Sequence, residues 1–167
     1  MSNEIVVEHE SAVDAPNTVV WARVTSAEGI NDELAPVLAM RMPRWAHTLS
    51  EDTVPIGRPL ARVPLLLFGV LPVDYDHLSI AALEPGRRFH EKSTMLLMSR
   101  WEHERTLDRL ATNRTRVRDR LTFELRVPLS RIPGAGTLAR RLVAALFAHR
   151  HKRLATFFDS PYNSRPS

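Results

Sequence analysis

The chain has 167 residues, 44% of them apolar and 25% charged, which is the balance of a folded globular protein and not of a disordered one. It contains no cysteine, which excludes disulfides, thiolate zinc sites and a cysteine nucleophile. A formal charge of +4 hides an asymmetry: residues 1–83 carry 5 Arg against 11 acidic groups, a net of −6, and residues 84–167 a net of +10. Such a split marks either a basic surface for nucleic acid or membrane, or acidic elements packed beside basic ones in a single fold.

The length fits one domain, placed at 1–159 with a flexible tail at 160–167. The longest apolar runs, such as Pro64–Leu71, fall far below the ~20 residues that span a bilayer. The opening MSNEIVVEHE lacks the basic and apolar regions of a signal peptide. A cytoplasmic location is therefore expected, with monomer and homodimer both open.

Ile5–Val13 alternates as a strand, with Ile5, Val7 and Val13 on one face and Glu8 and Glu10 on the other. Asp14-Ala15-Pro16 reads as a helix start, with Asp14 as cap and Pro16 in the first turn. Val20, Trp21 and Val24 form the apolar stripe of that short helix, which runs through about Thr25. Ser26 caps a second helix, Ala27–Leu34, and Pro36 lies just beyond it.

From Met40 to Val127, turn signals such as Pro55-Ile56-Gly57 and Glu84-Pro85-Gly86 separate extended segments. These are Met40–His47, Leu60–Leu71, His77–Leu83, Arg88–Met95, Arg100–Leu110 and Thr115–Val127. No helical pattern intervenes, so an antiparallel meander is expected, with Pro64 marking an edge or a bulge. In the last segment Val117, Leu121, Phe123, Leu125 and Val127 share one face and Arg116, Arg118, Arg120, Glu124 and Arg126 the other. A slip of one residue would bury those charges, so the register is tightly specified. After Pro133-Gly134-Ala135-Gly136 comes a long helix, Thr137–Phe158, with Leu138, Leu142, Ala145, Leu146, His149 and Phe157 near one stripe.

One strand, two short helices, about six strands and one long helix make an α+β arrangement in which the last helix covers a face of the sheet. Four local motifs carry a family resemblance. Val13-Asp14-Ala15-Pro16 with Val20-Trp21 resembles an N-terminal strand-to-helix junction. Arg100-Trp101-Glu102-His103 resembles a W-x-H strand, and Asp119-Arg120-Leu121-Thr122-Phe123 a D-x-v-x-Y/F strand. Leu146–Leu154 resembles the end of a terminal helix. In this order, over about residues 4–158, they are similar to the helix-grip SRPBCC superfamily, which includes START-related lipid-transfer domains and bacterial polyketide cyclases. The resemblance implies a curved sheet of about seven strands wrapped round the C-terminal helix, with a ligand cavity between them.

Strand parity places Glu91, His103, Arg105 and Asp119 on the inward face of three successive strands. Buried charges must pair or line a wet cavity. The group is therefore either a salt-bridged network or the polar end of a pocket. In the second case His103, with Glu91 or Asp119, is a candidate general acid or base for a cyclase or dehydratase. Candidate apolar lining residues are Trp21, Met40, Trp45, Phe68, Phe89, Met95, Trp101, Phe123, Leu142, Ala145 and Leu146. The sequence holds no H-E-x-x-H, Walker A, G-x-G-x-x-G or G-x-S-x-G motif, and no metal or cofactor is expected. Arg116, Arg118, Arg120 and Arg126 have no interleaved aromatics for stacking bases, so no specific nucleic-acid binding is expected. Three functions fit: binding a small hydrophobic molecule, cyclase/dehydratase chemistry, or a surface interaction through the basic half.

Overall fold

A computed structural model describes residues 4–43 and 55–160. Seven strands, β1 (Ile5–Val13), β2 (Leu38–Met40), β3 (Pro59–Leu67), β4 (Leu71–Glu84), β5 (Arg88–Ser93), β6 (Met98–Ala111) and β7 (Arg114–Leu125), form one antiparallel sheet. Their order is β1-β7-β6-β5-β4-β3-β2, so the first two strands occupy opposite edges. Two short helices, α1 (Asn17–Val24) and α2 (Ala27–Leu34), carry the chain from one edge to the other. The long helix α3 (Ala135–Asp159) follows a 3-10 turn at Leu129–Arg131 and packs on β1 and α2. This is the expected helix-grip α+β fold, a curled half-barrel closed over one long helix.

The alternation read in the sequence sets which residues face α3. On β7, Val117, Leu121 and Phe123 are fully buried, as is Asp119 between them. The opposite parity of β1 and β7 explains the charge asymmetry. Glu8 and Glu10 stand opposite Arg120 and Arg118 across the ladder. Glu10 pairs with Arg118 at 2.8 Å and Arg116 at 3.2 Å, while Arg100 reaches Glu4 at 2.7 Å and Glu102 at 2.9 Å. The acidic first strand thus lies alongside the basic last one. Exposed pairs of this kind stabilise little individually, yet they interleave the two signs across the outer face.

Three apolar clusters fill the interior. The first joins α1 to the C-terminal half of α3 through Val20, Val24, Leu107, Val117, Leu154 and Phe158. The second joins the N-terminal half of α3 to the sheet through Val143, Phe147, Trp101, Leu121, Phe123 and Met95. The third lies on β3–β5, where Val63, Leu78, Ile80, Leu83 and Phe89 meet the half-buried Trp21 and Met40.

The structure departs from the sequence reading at several places. Leu60–Leu71 is not one strand but the arm of a hairpin, turned at Phe68-Gly69 with φ of 51° and 74°. Gly69 was the only turn signal in an apolar run, and Phe68 ends on the tip, 66% exposed, away from any interior wall. Pro64 does precede an irregularity, a register shift between Leu65 and Leu66. The segment Met40–His47 begins earlier, as the three-residue β2, and residues 41–43 leave the sheet. Trp45 and the tail after Ser160 lie outside the described residues. Asp14 does not cap α1; Pro16 occupies the cap position, whereas Ser26 caps α2 by accepting from Gly29 N at 3.0 Å. Val127 lies beyond β7 and is exposed.

The largest correction concerns α3. Its packed face is Val143, Phe147, Arg150, His151, Leu154 and Phe158, about 145° round from the stripe of Leu138, Leu142, Ala145 and Leu146. Leu142 and Ala145 are exposed and Leu146 is half-buried. The helix carries two apolar stripes, and periodicity alone ranked the wrong one first. Phe147→Ala should therefore cost ~3–5 kcal/mol in denaturant unfolding, whereas Leu142→Ala should change stability by less than ~1 kcal/mol, as at exposed sites.

Candidate functional site

Cross-strand register brings the inward polar residues into a belt. Glu91 on β5 pairs with His103 on β6, and Arg105 on β6 with Asp119 on β7. Arg105 has no exposed surface. Its guanidinium forks onto Asp119, with Nε to Oδ1 at 2.7 Å and Nη2 to Oδ2 at 2.6 Å. Its remaining nitrogen, Nη1, donates to both oxygens of Glu33 on α2, at 2.8 and 3.0 Å. Arg150 of α3 donates to Glu33 from Nε at 3.1 Å and pairs through Nη2 at 3.0 Å. Two cations and two carboxylates therefore form one buried, charge-balanced group spanning helix, sheet and helix.

Two imidazoles complete the shell of Asp119. His103 Nε2 lies 2.9 Å from Oδ1 and His151 Nε2 2.9 Å from Oδ2. An ionised carboxylate only accepts, so each ring presents an Nε2 hydrogen to it. His151 Nδ1 is then free to accept from Ser11 Oγ at 2.6 Å. Burial holds the His151 pKa below its ordinary value despite the opposing pull of Asp119, which keeps this ring neutral. Burial would raise the Asp119 pKa, but Arg105 and then His103 outweigh it and hold the carboxyl well below the usual range.

Beyond His103 the belt changes character. His103 Nδ1 stands 3.8 Å from Glu91 Oε2, and Ser93 Oγ donates to Glu91 Oε1 at 2.9 Å. Burial works against the charge of Glu91, but His103, Ser93 and Asp76 together keep its pKa below the ordinary value. Asp76 on β4 is the counterpart: burial and the neighbouring charge of Glu91 push its pKa up to about 9. Asp76 therefore holds a proton at neutral pH beside an ionised Glu91. Phe89 and Phe147 flank His103 edge-on, with centroids at 5.2 and 5.0 Å, and Trp101 lies 5.9 Å from Phe123.

The structure thus brings together all four polar candidates, Glu91, His103, Arg105 and Asp119. Phe89, Met95, Trp101 and Phe123 are buried around them, and Trp21 and Met40 are half-buried on the β3–β5 side. Phe68 stands apart on its hairpin tip. Sequence reasoning missed Glu33, Arg150, His151, Asp76 and Ser11. Ser11 shared the inward parity of β1 and was available to it. Glu33 lies beside Leu34 on the buried side of α2, where a carboxylate reads as solvated until its partner is known, and Arg150 and His151 were missed through the wrong choice of α3 stripe.

Removing Arg105 leaves Asp119 with imidazole partners only and Glu33 with Arg150 as its one cation. Arg105→Met should cost ~3–5 kcal/mol in equilibrium unfolding. Asp76 makes a second prediction. Its folded pKa lies far above the ordinary 3.8, so between these values the folded state holds a proton that the unfolded chain has lost. Stability must then fall as pH rises, by ~1.4 kcal/mol per unit from pH 7 until about pH 9. Asp76→Asn should remove that slope in unfolding curves measured at pH 7, 8 and 9.

Comparison with known proteins places this architecture. No curated protein matches the chain. It is similar to a START superfamily protein from Mycobacterium smegmatis, with a TM-score of 0.66 and 15% identity over 92% of this chain and 97% of that one. It is also similar to protein CV1439 from Chromobacterium violaceum, with a TM-score of 0.64 and 15% identity over 93% and 98% of the two chains. The Zhui aromatase/cyclase from Streptomyces sp. R1128 follows with a TM-score of 0.60 and 20% identity over 92% and 90%. At these identities the likeness is one of fold, the START-like, SRPBCC-type helix grip. Residues 11–158 match the family model described as "Domain of unknown function (DUF8410)". The protein belongs to the DUF8410 family and carries it on a helix-grip fold.

Proposed function

We propose that the protein binds a small, largely apolar molecule between the sheet and the N-terminal half of α3. The second apolar stripe of α3 carries this reading. Its C-terminal part meets α2, where His149 Nε2 lies 2.7 Å from Ala35 O and Arg153 Nη2 is 2.6 Å from Asp32. Its N-terminal part, Leu138 and Leu142, runs on past the end of α2 and stays 59% and 62% exposed. Leu71 at the start of β4 and Leu96 and Leu97 at the β5–β6 turn are exposed as well. Exposed leucines of this kind are what the lip of an apolar binding site would present.

Behind that lip, Met95, Trp101, Phe123 and Phe147 offer an apolar wall, and Met95 can adapt to different shapes. Glu91, Ser93, His103 and Asp76 supply a polar end, and Trp21, Met40, Phe89, Ala145 and Leu146 complete the candidate surroundings. The likeness to a START superfamily protein and to an aromatase/cyclase agrees with an internal site. The interleaved charges of the outer face favour that site over a basic docking surface, and no specific nucleic-acid partner is expected.

The test is binding of an anilinonaphthalene fluorophore by the intact chain. Saturable binding is expected, and Leu142→Glu should raise its Kd by about tenfold or more by placing a charge at the lip. Ala148→Glu, on another exposed face of α3, should leave the Kd unchanged. Neither variant should shift the unfolding midpoint appreciably. Absence of saturable binding, or equal binding by the Leu142→Glu variant, overturns the reading.

A further inference from the structure

We infer that the protein docks on an anionic lipid bilayer through the end of the sheet where β3 turns into β4, β5 turns into β6 and β7 runs out towards α3. This goes beyond the binding reading above and does not need an occupied interior, although Leu71, Leu96 and Leu97 take part in both. The strands alternate in direction, so these two turns and the exit of β7 all fall at one end.

Hydrogen bonds join the tips into a row. Phe68 N donates to Val37 O at 2.9 Å, which ties the β3–β4 turn to the entry of β2. Asp74, near the start of β4, accepts from Leu96 N at 2.6 Å and Leu97 N at 3.3 Å. Arg126 N in turn donates to Leu97 O at 3.1 Å. The row presents Val37, Phe68, Val70 and Leu71, then Leu96, Leu97 and Val127, from 37% exposed at Val37 to 77% at Val70. Phe68 holds φ at 51°, a value rare for an aromatic residue, yet its ring stays in solvent, where no packing repays the strain. Contiguous exposed apolar surface of this kind marks a protein or a membrane contact.

Charge decides between the two. Residues 36–40, 63–73 and 93–99 hold no charged side chain, and residues 125–158 hold cations but no acid. The carboxylate of Asp74 is buried and spent on backbone amides. Arg126, Arg131, Arg140 and Arg141 are exposed, and among the described residues none of them forms an ion pair, whereas Arg100, Arg116, Arg118 and Arg120 of the outer face all do. Arg131 and Arg140 share an open cleft of about 660 Å³ beside the entry of β1, in which Glu4 is already held by Arg100 at 2.7 Å. A second copy docking through a two-fold contact would set these arginines against their own counterparts. A bilayer with anionic headgroups offers apolar depth to the tips and countercharge to the arginines.

Vesicle sedimentation tests it. The chain should bind phosphatidylcholine vesicles containing about one-third phosphatidylglycerol roughly tenfold more tightly than pure phosphatidylcholine vesicles, and added salt should shrink the difference. Phe68→Asn with Val70→Ser, in which Asn tolerates the positive φ, should weaken binding to the anionic vesicles about tenfold. Its unfolding midpoint and its Kd for the anilinonaphthalene fluorophore without lipid should not change. Arg131→Gln with Arg140→Gln should also weaken binding about tenfold. Arg116→Gln with Arg118→Gln, which removes equal charge from the paired outer face, should leave it unchanged. No binding to anionic vesicles, undiminished binding by the Phe68 and Val70 variant, or equal losses from the two arginine pairs overturns the inference. A dimer in light scattering that the Phe68 and Val70 variant dissociates, with no vesicle binding, overturns it in favour of a second copy. Vesicle binding without saturable fluorophore binding upholds this inference and overturns the cavity reading alone.

Discussion

A guanidinium with no exposed surface cannot give up its proton and cannot be left alone, and the interior of this protein is arranged around that constraint at Arg105. The cost of taking an ion out of water is several kcal/mol after relaxation, and only a full complement of acceptors offsets it. The side chain finds them on two separate elements, Asp119 on β7 and Glu33 on α2. Glu33 in turn receives Arg150 from α3. The position of both helices over the sheet is therefore specified by directional bonds as well as by apolar contact, which is non-directional.

That belt divides the interior into two unlike halves. On one side, α1 and the end of α3 seal Val20, Val24, Leu107, Val117, Leu154 and Phe158 into a closed cluster. On the other, Met95, Trp101, Phe123 and Phe147 pack with Val7, Leu121 and Val143. His103 stands at the junction, tied to Asp119 on one side and 3.8 Å from Glu91 on the other. Ionisation follows the same division. Asp119, beside Arg105, is held charged, while Asp76, farther along, is held neutral by burial and by the charge beside it.

Much of this was legible in the sequence because strands declare their faces. A period of two leaves little choice where charges alternate with aliphatics, so Glu91, His103, Arg105 and Asp119 were assigned to one surface and the register brings them together. Helices declare less. In α3, alanines and leucines spread round most of the cylinder, and two stripes of similar apolarity compete; the buried one contains Arg150 and His151 and so looked polar. Glu33 was illegible for a related reason, since a carboxylate on an eight-residue helix reads as solvated until its partner is known. The Phe68-Gly69 turn was hidden inside an apolar run, where strand propensity argued for continuity.

A sheet that curls round a helix without closing on itself keeps two free edges, and a free edge is a template for another chain to add to. The strand order puts β1 at one margin and β2 at the other. The two are blunted by different means. β2 is three residues long, too short to seed an extended ladder. β1 is nine residues long, but α3 packs along it, and Glu8 and Glu10 project from its outer side. The charges that match the arginines of β7 thus have a second effect, as gatekeepers at the longer margin. A self-pairing copy of β1 would set carboxylates among carboxylates, so the same two glutamates discourage edge-to-edge aggregation.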